Sequence, residues 1–397
     1  MWAWPLLLLV ALATGQEAVV DVAGEVRGAA AVGGVLSGCT HWNLQQDTYR
    51  QPGQHLVCAV PDPENAGGLL VNVVVDSLRV NETTGEGGVT LRFARDDGDI
   101  RDLMTFLHGQ IGTSNNRPAA KWKLYTLSGD EEIRSVDNLV YHGEGIIYTN
   151  GNFIWPGVAI GHKFSTPEGY EMETLSLKPL VLRVANFLSD VECDYIRSES
   201  EPHFRASGTS KMDHDVDKPD TTWRTSSQYF LPSDGRPIVQ AIDKRTAKLT
   251  KTRVSQQEYV QVLRYNEGQK YDQHHDYFDA RFYQKDPETL RNIQHGERNR
   301  LATVLWYLTT VESGGHTIFP LANGNKMGHN HDFADCSLPN ALLVQPVKGE
   351  VIIFYSLSAD GGLDPTSLHG ACKVGSGSVK YASNKWVWSS PAGFLSD

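Results

Sequence analysis

Cysteine is scarce in this sequence: Cys39, Cys58, Cys193, Cys336 and Cys372 are the five in 397 residues. So few in so long a chain do not make a disulfide framework, and the odd number leaves at least one thiol free or bonded to another chain. Cys39 and Cys58 are the expected local pair in an oxidising compartment. Positive charge is also in deficit. Lys and Arg number 36 against 47 Asp and Glu, a net charge of −11, so the chain as a whole does not attract nucleic acid and none is expected as a partner. Long apolar runs are missing as well. Leu6–Ala13 falls far short of the roughly 20 residues that cross a bilayer. It suits a secretory signal peptide over residues 1–15, with Ala11 and Ala13 before the cut, although no Lys or Arg precedes it. No other membrane-spanning segment is expected. Asn81-Glu82-Thr83 is a glycosylation sequon that fits secretory entry. A core is not lacking: at 40% hydrophobic and 21% charged residues the chain should fold, and its length suits two domains.

The N-terminal half reads as β-rich. Residues 17–38 are small and resemble a lead-in. Leu69–Val80, Val89–Ala94, Lys121–Leu127, Gly145–Tyr148 and Phe153–Ile160 read as strands separated by Gly and Asn turns, with a short helix over Asp99–Gly109. These predict a small β-rich domain over about 40–160, with a sandwich as the candidate architecture. Its histidines (His41, His55, His108, His142, His162) are scattered and form no metal pattern. Trp122 and Trp155 are expected in a core, with a glycan-binding surface as the alternative.

Chemistry concentrates in the other half. Tyr265–Phe278 reads Y-N-E-G-Q-K-Y-D-Q-H-H-D-Y-F. On an extended backbone His274 and Asp276 share a face and His275 points away. An imidazole beside a carboxylate is two thirds of a 2-His-1-carboxylate iron site, which leaves positions open for substrate and oxygen. The third ligand must come from elsewhere, and S-L-H-G-A-C at 367–372 followed by Lys380 offers a histidine and then a cationic anchor.

Other blocks accompany these in order: N-F-L-S-D-V-E-C at 186–193, R-T-S-S at 224–227, T-V-L-W-Y-L-T-T-V-E-S-G-G at 303–315 and P-V-K-G-E-V-I-I-F at 346–354. Together they resemble the prolyl 4-hydroxylase family of iron(II)- and 2-oxoglutarate-dependent dioxygenases, over roughly Leu175–Trp388. The resemblance implies a double-stranded β-helix, or jelly roll, with His274, Asp276 and His369 as iron ligands. Lys380 is implied as the anchor of the distal 2-oxoglutarate carboxylate, with Tyr265 and Thr303 as further contacts to that cofactor. Tyr271 and Trp386 fall at positions that line a peptide channel, and Arg224 is a candidate substrate contact. The implied cofactors are Fe(2+), 2-oxoglutarate, O2 and L-ascorbate, the partner a proline-rich or collagen-like polypeptide, and the location the endoplasmic reticulum lumen. The same ligands would serve a hydroxylase of another side chain or of a free amino acid; a non-catalytic peptide-binding module would lose one of them.

The elements agree with that fold. Ser189-Asp-Val-Glu192 is a capping box opening a helix to about Glu201. A second helix spans about 235–250, and Gly208–Thr222, with His214, is a polar loop. Glu258–Tyr265, Leu301–Leu308, Thr317–Phe319, Ala341–Gln345, Glu350–Tyr355 and Val379–Ser389 read as short strands of a two-sheet roll. The fold class is therefore mainly β with flanking helices, the catalytic domain covering 175–397 after a boundary near Ser165–Ser176. Ala280–Asn299 is either a lid over a bound polypeptide or a solvated loop with a helical turn. A rival zinc site uses His329, His331, Asp332 and Cys336. Three departures from the family stand out: Lys373 replaces the usual Pro, His316 an acidic residue, and one extra residue separates His369 from Lys380.

Overall fold

The computed structural model describes residues 19–20, 26–27 and 51–397, apart from 66, 75–88, 95–98, 112–116, 130, 218, 221–222 and 327–335. The expected signal segment, Cys39, His41 and the Asn81 sequon lie outside these residues. Two compact units form: Met1–Pro156 with Ala359–Gly362, and Gly157–Ser358 with Leu363–Asp397.

In the N-terminal unit, β1 (Val19–Val20) and β2 (Val26–Arg27) pair antiparallel within the expected lead-in. The main body is one six-stranded antiparallel sheet. Its strands are β3 (Gln54–Pro61), β4 (Leu69–Val74), β5 (Val89–Phe93), β6 (Lys123–Tyr125), β7 (Glu132–Ile133) and β8 (Glu144–Tyr148), in the order β5-β4-β3-β8-β6-β7. The second layer is helical, so the expected sandwich is corrected. Helix α1 (Ile100–Ile111) and helix α2 (Val136–His142) cover the sheet. Val57, Ala59, Val71, Val73 and Leu91, at alternate strand positions, meet Leu103, Met104 and Leu107 of α1 and Val136 and Leu139 of α2. Ile100, Leu103, Met104, Leu107 and Ile111 recur at helical spacing, which gives α1 the apolar stripe that a sheet face needs. Phe153–Ile160, expected as a strand, is not one. Phe153, Ile154 and Trp155 are buried, and the Ile154 carbonyl accepts from Tyr148 Oη (2.9 Å) and Gln54 Nε2 (3.3 Å). Side chains satisfy the backbone there in place of a ladder. Trp122 and Trp155 are 5% and 2% exposed, which leaves neither ring a face for a sugar.

The catalytic unit starts earlier than expected. Strands β9 (Lys163–Ser165) and β10 (Glu171–Leu177) pair into its large sheet, and β10 pairs with β11 (Leu180–Val184). The division therefore falls after Pro156, before the polar stretch. Helix α3 (Asp190–Ser200) carries the expected capping box, Ser189 with Glu192. Then follow β12 (Arg205–Ala206), β13 (Ser227–Leu231), helix α4 (Pro237–Thr250), β14 (Val260–Tyr265) and β15 (Tyr271–His274). Helix α5 (Pro287–Asn292), β16 (Arg300–Tyr307), β17 (Thr317–Phe319), β18 (Leu342–Val344), β19 (Val351–Tyr355), β20 (His369–Ala371) and β21 (Lys380–Trp388) complete the unit.

Nine strands form one sheet in the order β12-β13-β14-β21-β16-β19-β11-β10-β9, and four form the other, β15-β20-β17-β18. Val181, Leu305, Ile352, Phe354 and Ala382 of the large sheet pack with Phe319 and Val344 of the small one. This is the expected jelly roll. The segment 280–299 carries the helical turn expected of a loop there, α5, with short 3-10 turns beside it and Tyr283 and Ile293 buried. Asn299 ties its ends, accepting from Phe278 N (2.9 Å) and donating to Phe278 O (2.6 Å).

Candidate active site

The small sheet brings two histidines together. Strands β15 and β20 pair antiparallel with His274 opposite His369, and their ring centroids are 4.4 Å apart. Asp276 follows just past the end of β15. His274 Nε2 lies 3.7 Å from Asp276 Oδ1, and His369 Nε2 lies 3.6 Å from Asp276 Oδ2. Among the described residues these three are the group whose ligand atoms all lie within 4.8 Å of one another. His275 turns away and donates Nε2–H to Pro365 O at 3.0 Å.

Local hydrogen bonds orient each member. His274 Nδ1–H donates to Asp272 O and His369 Nδ1–H to Ser367 O, both at 2.9 Å. Each bond fixes the tautomer with the Nε2 lone pair facing the carboxylate. Thr303 Oγ1 donates to Asp276 Oδ2 at 2.5 Å. Thr303, expected at the 2-oxoglutarate, is thus directed at the carboxylate. Its place on β16 opposite Trp386, one register step from the inner pocket, is the reason. Burial, followed by the neighbouring His369, pushes the His274 imidazole down, so it is neutral at pH 7. Burial acts to raise the Asp276 carboxyl, but His369, His274, Arg300 and the Thr303 hydroxyl together hold it down, and it stays ionised.

Beyond the cluster lies a small inner pocket lined by Leu263, Tyr265, Tyr271, Thr317, His369 and Lys380 among others. Antiparallel pairing sets Tyr265 against Lys380. Lys380 is 2% exposed and has no hydrogen-bonding or carboxylate partner among the described residues. Its Nζ sits 5.6 and 5.8 Å from the Tyr265 and Tyr307 ring centroids, and burial pushes its pKa down to about 7. Lys385, on the other face of β21, is spoken for: Nζ is 2.6 Å from Asp243 Oδ1 and donates to Glu258 O at 2.7 Å.

On the opposite side opens a cavity of about 340 Å³ whose lining includes Trp223, Phe230, Tyr271, Tyr283 and Trp386. Tyr271 is stacked on His274 at 3.7 Å and carries the Arg224 guanidinium 4.4 Å over its other face. Arg224 donates Nε–H to Ser226 Oγ and Nη1–H to Gly208 O; its buried Nη2 has no hydrogen-bond partner among the described residues.

The sequence reading missed Arg300. Its guanidinium lies 3.6 Å over the Trp386 ring, is held by Glu258 at 2.6 and 3.0 Å, and donates to Asp276 O at 3.4 Å. The available signal was a lone arginine opening an otherwise apolar strand. The rival zinc site loses its thiolate, because Cys336 is disulfide-bonded to Cys372; His329, His331 and Asp332 lie outside the described residues. Cys58 is also disulfide-bonded, and Cys193 is free and buried.

Residues 260–388 match the model of the 2OG-Fe(II) oxygenase superfamily. The chain is 39% identical over 217 residues to "Probable prolyl 4-hydroxylase 3" of Arabidopsis thaliana, covering 54% of this chain and 71% of that protein. It is 36% identical over 222 residues to "Prolyl 4-hydroxylase 1" of the same plant, at 54% and 71% coverage. Among solved structures it is similar to the viral collagen prolyl hydroxylase of Paramecium Bursaria Chlorella virus-1, at 24% identity and TM-score 0.35, covering 52% of this chain and 95% of that one. With the His-Asp-His cluster inside the matched segment, this chain belongs to the prolyl 4-hydroxylase family of 2OG-Fe(II) oxygenases.

Proposed function

We propose that this chain hydroxylates peptidyl proline at C4, with oxidative decarboxylation of 2-oxoglutarate to succinate and CO2. The observation that carries the reading is the two-imidazole and carboxylate cluster beside a buried lysine that lacks an anionic partner among the described residues. The donor set fits iron(II): two imidazole nitrogens and a carboxylate oxygen converge, with their other polar atoms already bonded. The lysine fits a dicarboxylate, since a buried ammonium without a counter-ion is costly and an incoming carboxylate removes the cost. Iron(II) with 2-oxoglutarate and dioxygen supplies the oxidising power for an unactivated C–H bond.

The residues divide that work. His274, Asp276 and His369 hold the metal, and Thr303 fixes the rotamer of Asp276. Lys380, against the Tyr265 ring, anchors the distal carboxylate of 2-oxoglutarate. Tyr271 and Trp386 flank the substrate, where an aromatic face suits a proline ring and an extended polyproline II chain costs little entropy to bind. Arg224 and Arg300 offer guanidinium donors along the same wall. The aromatic lining limits water at the reacting carbon.

A proline-rich or collagen-like substrate is favoured by that lining, ascorbate as a reductant by the iron chemistry, and the endoplasmic reticulum lumen by the leading apolar segment and the disulfides. No helix among the described residues is long and apolar enough to cross a membrane. The test is a peptide panel with iron(II), 2-oxoglutarate and ascorbate, read by mass spectrometry for a one-oxygen gain. Proline-rich peptides should gain oxygen on proline. Better turnover of free proline or of lysine peptides would overturn the peptidyl-proline reading.

A further inference from the structure

The large sheet turns one face towards both the inner pocket and the outer cavity, and a row of side-chain amides marks the border between them. On β14, Leu263 and Tyr265 line the inner pocket, and Gln261 lines the outer cavity. On β21, Lys380 and Ala382 line the inner pocket, Trp386 the cavity, and Asn384 both. Gln228 of β13 lines the cavity as well. Antiparallel pairing sets Gln261 opposite Asn384 and Gln228 opposite Leu263. Residues opposite one another, and those two apart on one strand, share a face, so all three amides lie on the side of the pocket.

The amides bond to one another in one direction. Asn384 Nδ2–H donates to Gln261 Oε1 at 3.0 Å, and Gln261 Nε2–H donates to Gln228 Oε1 at 2.7 Å. Gln261 and Asn384 are 3% and 8% exposed, and Gln228 is half-buried. A side-chain amide nitrogen carries two hydrogens. The row spends one from Asn384 and one from Gln261, and Gln228 Nε2 makes no hydrogen bond among the described residues. What remains is a strip of donors, open at Gln228, along the wall that carries Trp386. Such a strip suits an extended, proline-rich chain. That chain offers a carbonyl at every residue, no N–H at any proline, and no internal hydrogen bonds in the polyproline II form. Donors are what it can use, and a free amino acid has no neighbouring carbonyls to give them.

We infer that Gln228, Gln261 and Asn384 form a strip that holds backbone carbonyls of the substrate beside its target residue, and that this strip selects a polypeptide over a free amino acid. Gln228 is the specificity-determining end, and Gln261 and Asn384 hold it in orientation. The inference rests on the reading of the outer cavity as a peptide site.

The test uses the full chain with Gln228→Glu and Gln261→Leu. Gln228→Glu keeps the oxygen that Gln261 donates to and loses the free N–H groups, so the row survives without its open end. Gln261→Leu cuts the row at similar side-chain size. Binding of a long proline-rich peptide to the protein loaded with Co(II) and 2-oxoglutarate is measured by calorimetry, with 2-oxoglutarate affinity measured beside it. Gln228→Glu should weaken peptide binding by about three- to tenfold, the usual worth of a hydrogen bond, and Gln261→Leu by about tenfold. Affinity for 2-oxoglutarate should not move in either. Wild-type peptide affinity in Gln228→Glu would overturn the inference, and so would a parallel loss of peptide and 2-oxoglutarate binding, which marks a purely structural row. A wild-type protein that binds no peptide would remove the peptide-site reading and the strip with it. A wild-type protein that binds peptides but hydroxylates another residue would remove only the proline reading, and the two variants would still decide the strip.

Discussion

Thr303 donates its hydroxyl hydrogen to Asp276 Oδ2 at 2.5 Å, from a position with no solvent exposure. The bond joins the central strand of the large sheet to the carboxylate beside the small one. A hydroxyl on a fully buried β-strand has few partners to choose from, so the carboxylate is held in one rotamer. Thr303→Val keeps the shape and removes the donor. It should weaken Co(II) binding on the order of tenfold, and Thr303→Ser should restore most of it. A Thr303→Val protein that titrates like wild type would mean the bond does not position Asp276.

The cluster itself makes a sharper demand. His274→Ala, Asp276→Ala and His369→Ala should each abolish succinate formation, because each removes one of the three side chains proposed to hold the metal. His275→Ala should be far milder, since that ring bonds to Pro365 O and stacks on Tyr277 at 4.5 Å. Succinate release assays on the four variants decide this, and a fully active His369→Ala would remove the third ligand from the assignment.

The two buried lysines of β21 should fail in different ways. Lys380→Ala should raise the KM for 2-oxoglutarate by about tenfold or more while the fold survives, because it deletes a charge that has no partner among the described residues. Lys385 stands in a buried ion pair with Asp243. Its removal leaves a carboxylate uncompensated and should cost about 3–5 kcal/mol of stability, seen as a lower urea midpoint and not as a selective change in KM. Lys373→Ala should leave both within a few-fold. A 2-oxoglutarate titration in which Lys385→Ala is stable and selectively weakened would reverse the assignment.

The Lys380 ammonium also sets a pH dependence. Its folded value of about 7 lies below the unfolded value of 10.5. Between these pH values the unfolded chain holds the extra proton, so this group makes the protein more stable as pH rises from about 7 towards 10.5. Urea unfolding of wild type minus Lys380→Met should therefore climb through that window; parallel profiles would contradict it. A bound carboxylate needs the charged lysine, so 2-oxoglutarate affinity of the Co(II)-loaded protein should fall as pH rises above about 7. Calorimetric titration across the same range checks the sign.

Much of the site was legible because its parts are local. The nearness of His274 and Asp276 was legible from their spacing, although β15 ends at His274 and Asp276 comes from the turn beyond it. Alternation along β21 separates Lys380 and Trp386 from Lys385, and the pairing partners of that strand bear the separation out: Tyr265 stands opposite Lys380, and Lys385 reaches Asp243. Six of the strands from Val260 onward (β14, β16, β17, β18, β19 and β21) were readable from apolar runs and turn residues, whereas β15 and β20, which carry the two histidines, were not placed. The N-terminal sheet was partly readable, but its helical cover was not, because strand patterns do not say what packs on a face.

The amino-acid sequence by itself determined which residue types make up the His-Asp-His cluster, that Lys380 and Lys385 lie on opposite faces of β21, and the mainly β character of the chain from Val260 onward. These depend on backbone periodicity and side-chain chemistry, which act over a few residues. Tertiary structure alone decided that Thr303 serves Asp276, that Arg300 lies on Trp386 under the control of Glu258, that Cys336 is bonded to Cys372, and that Ala359–Gly362 belongs with the N-terminal unit. Each of these joins residues far apart in sequence or on different strands, and such pairings follow from register and packing, which no local pattern encodes.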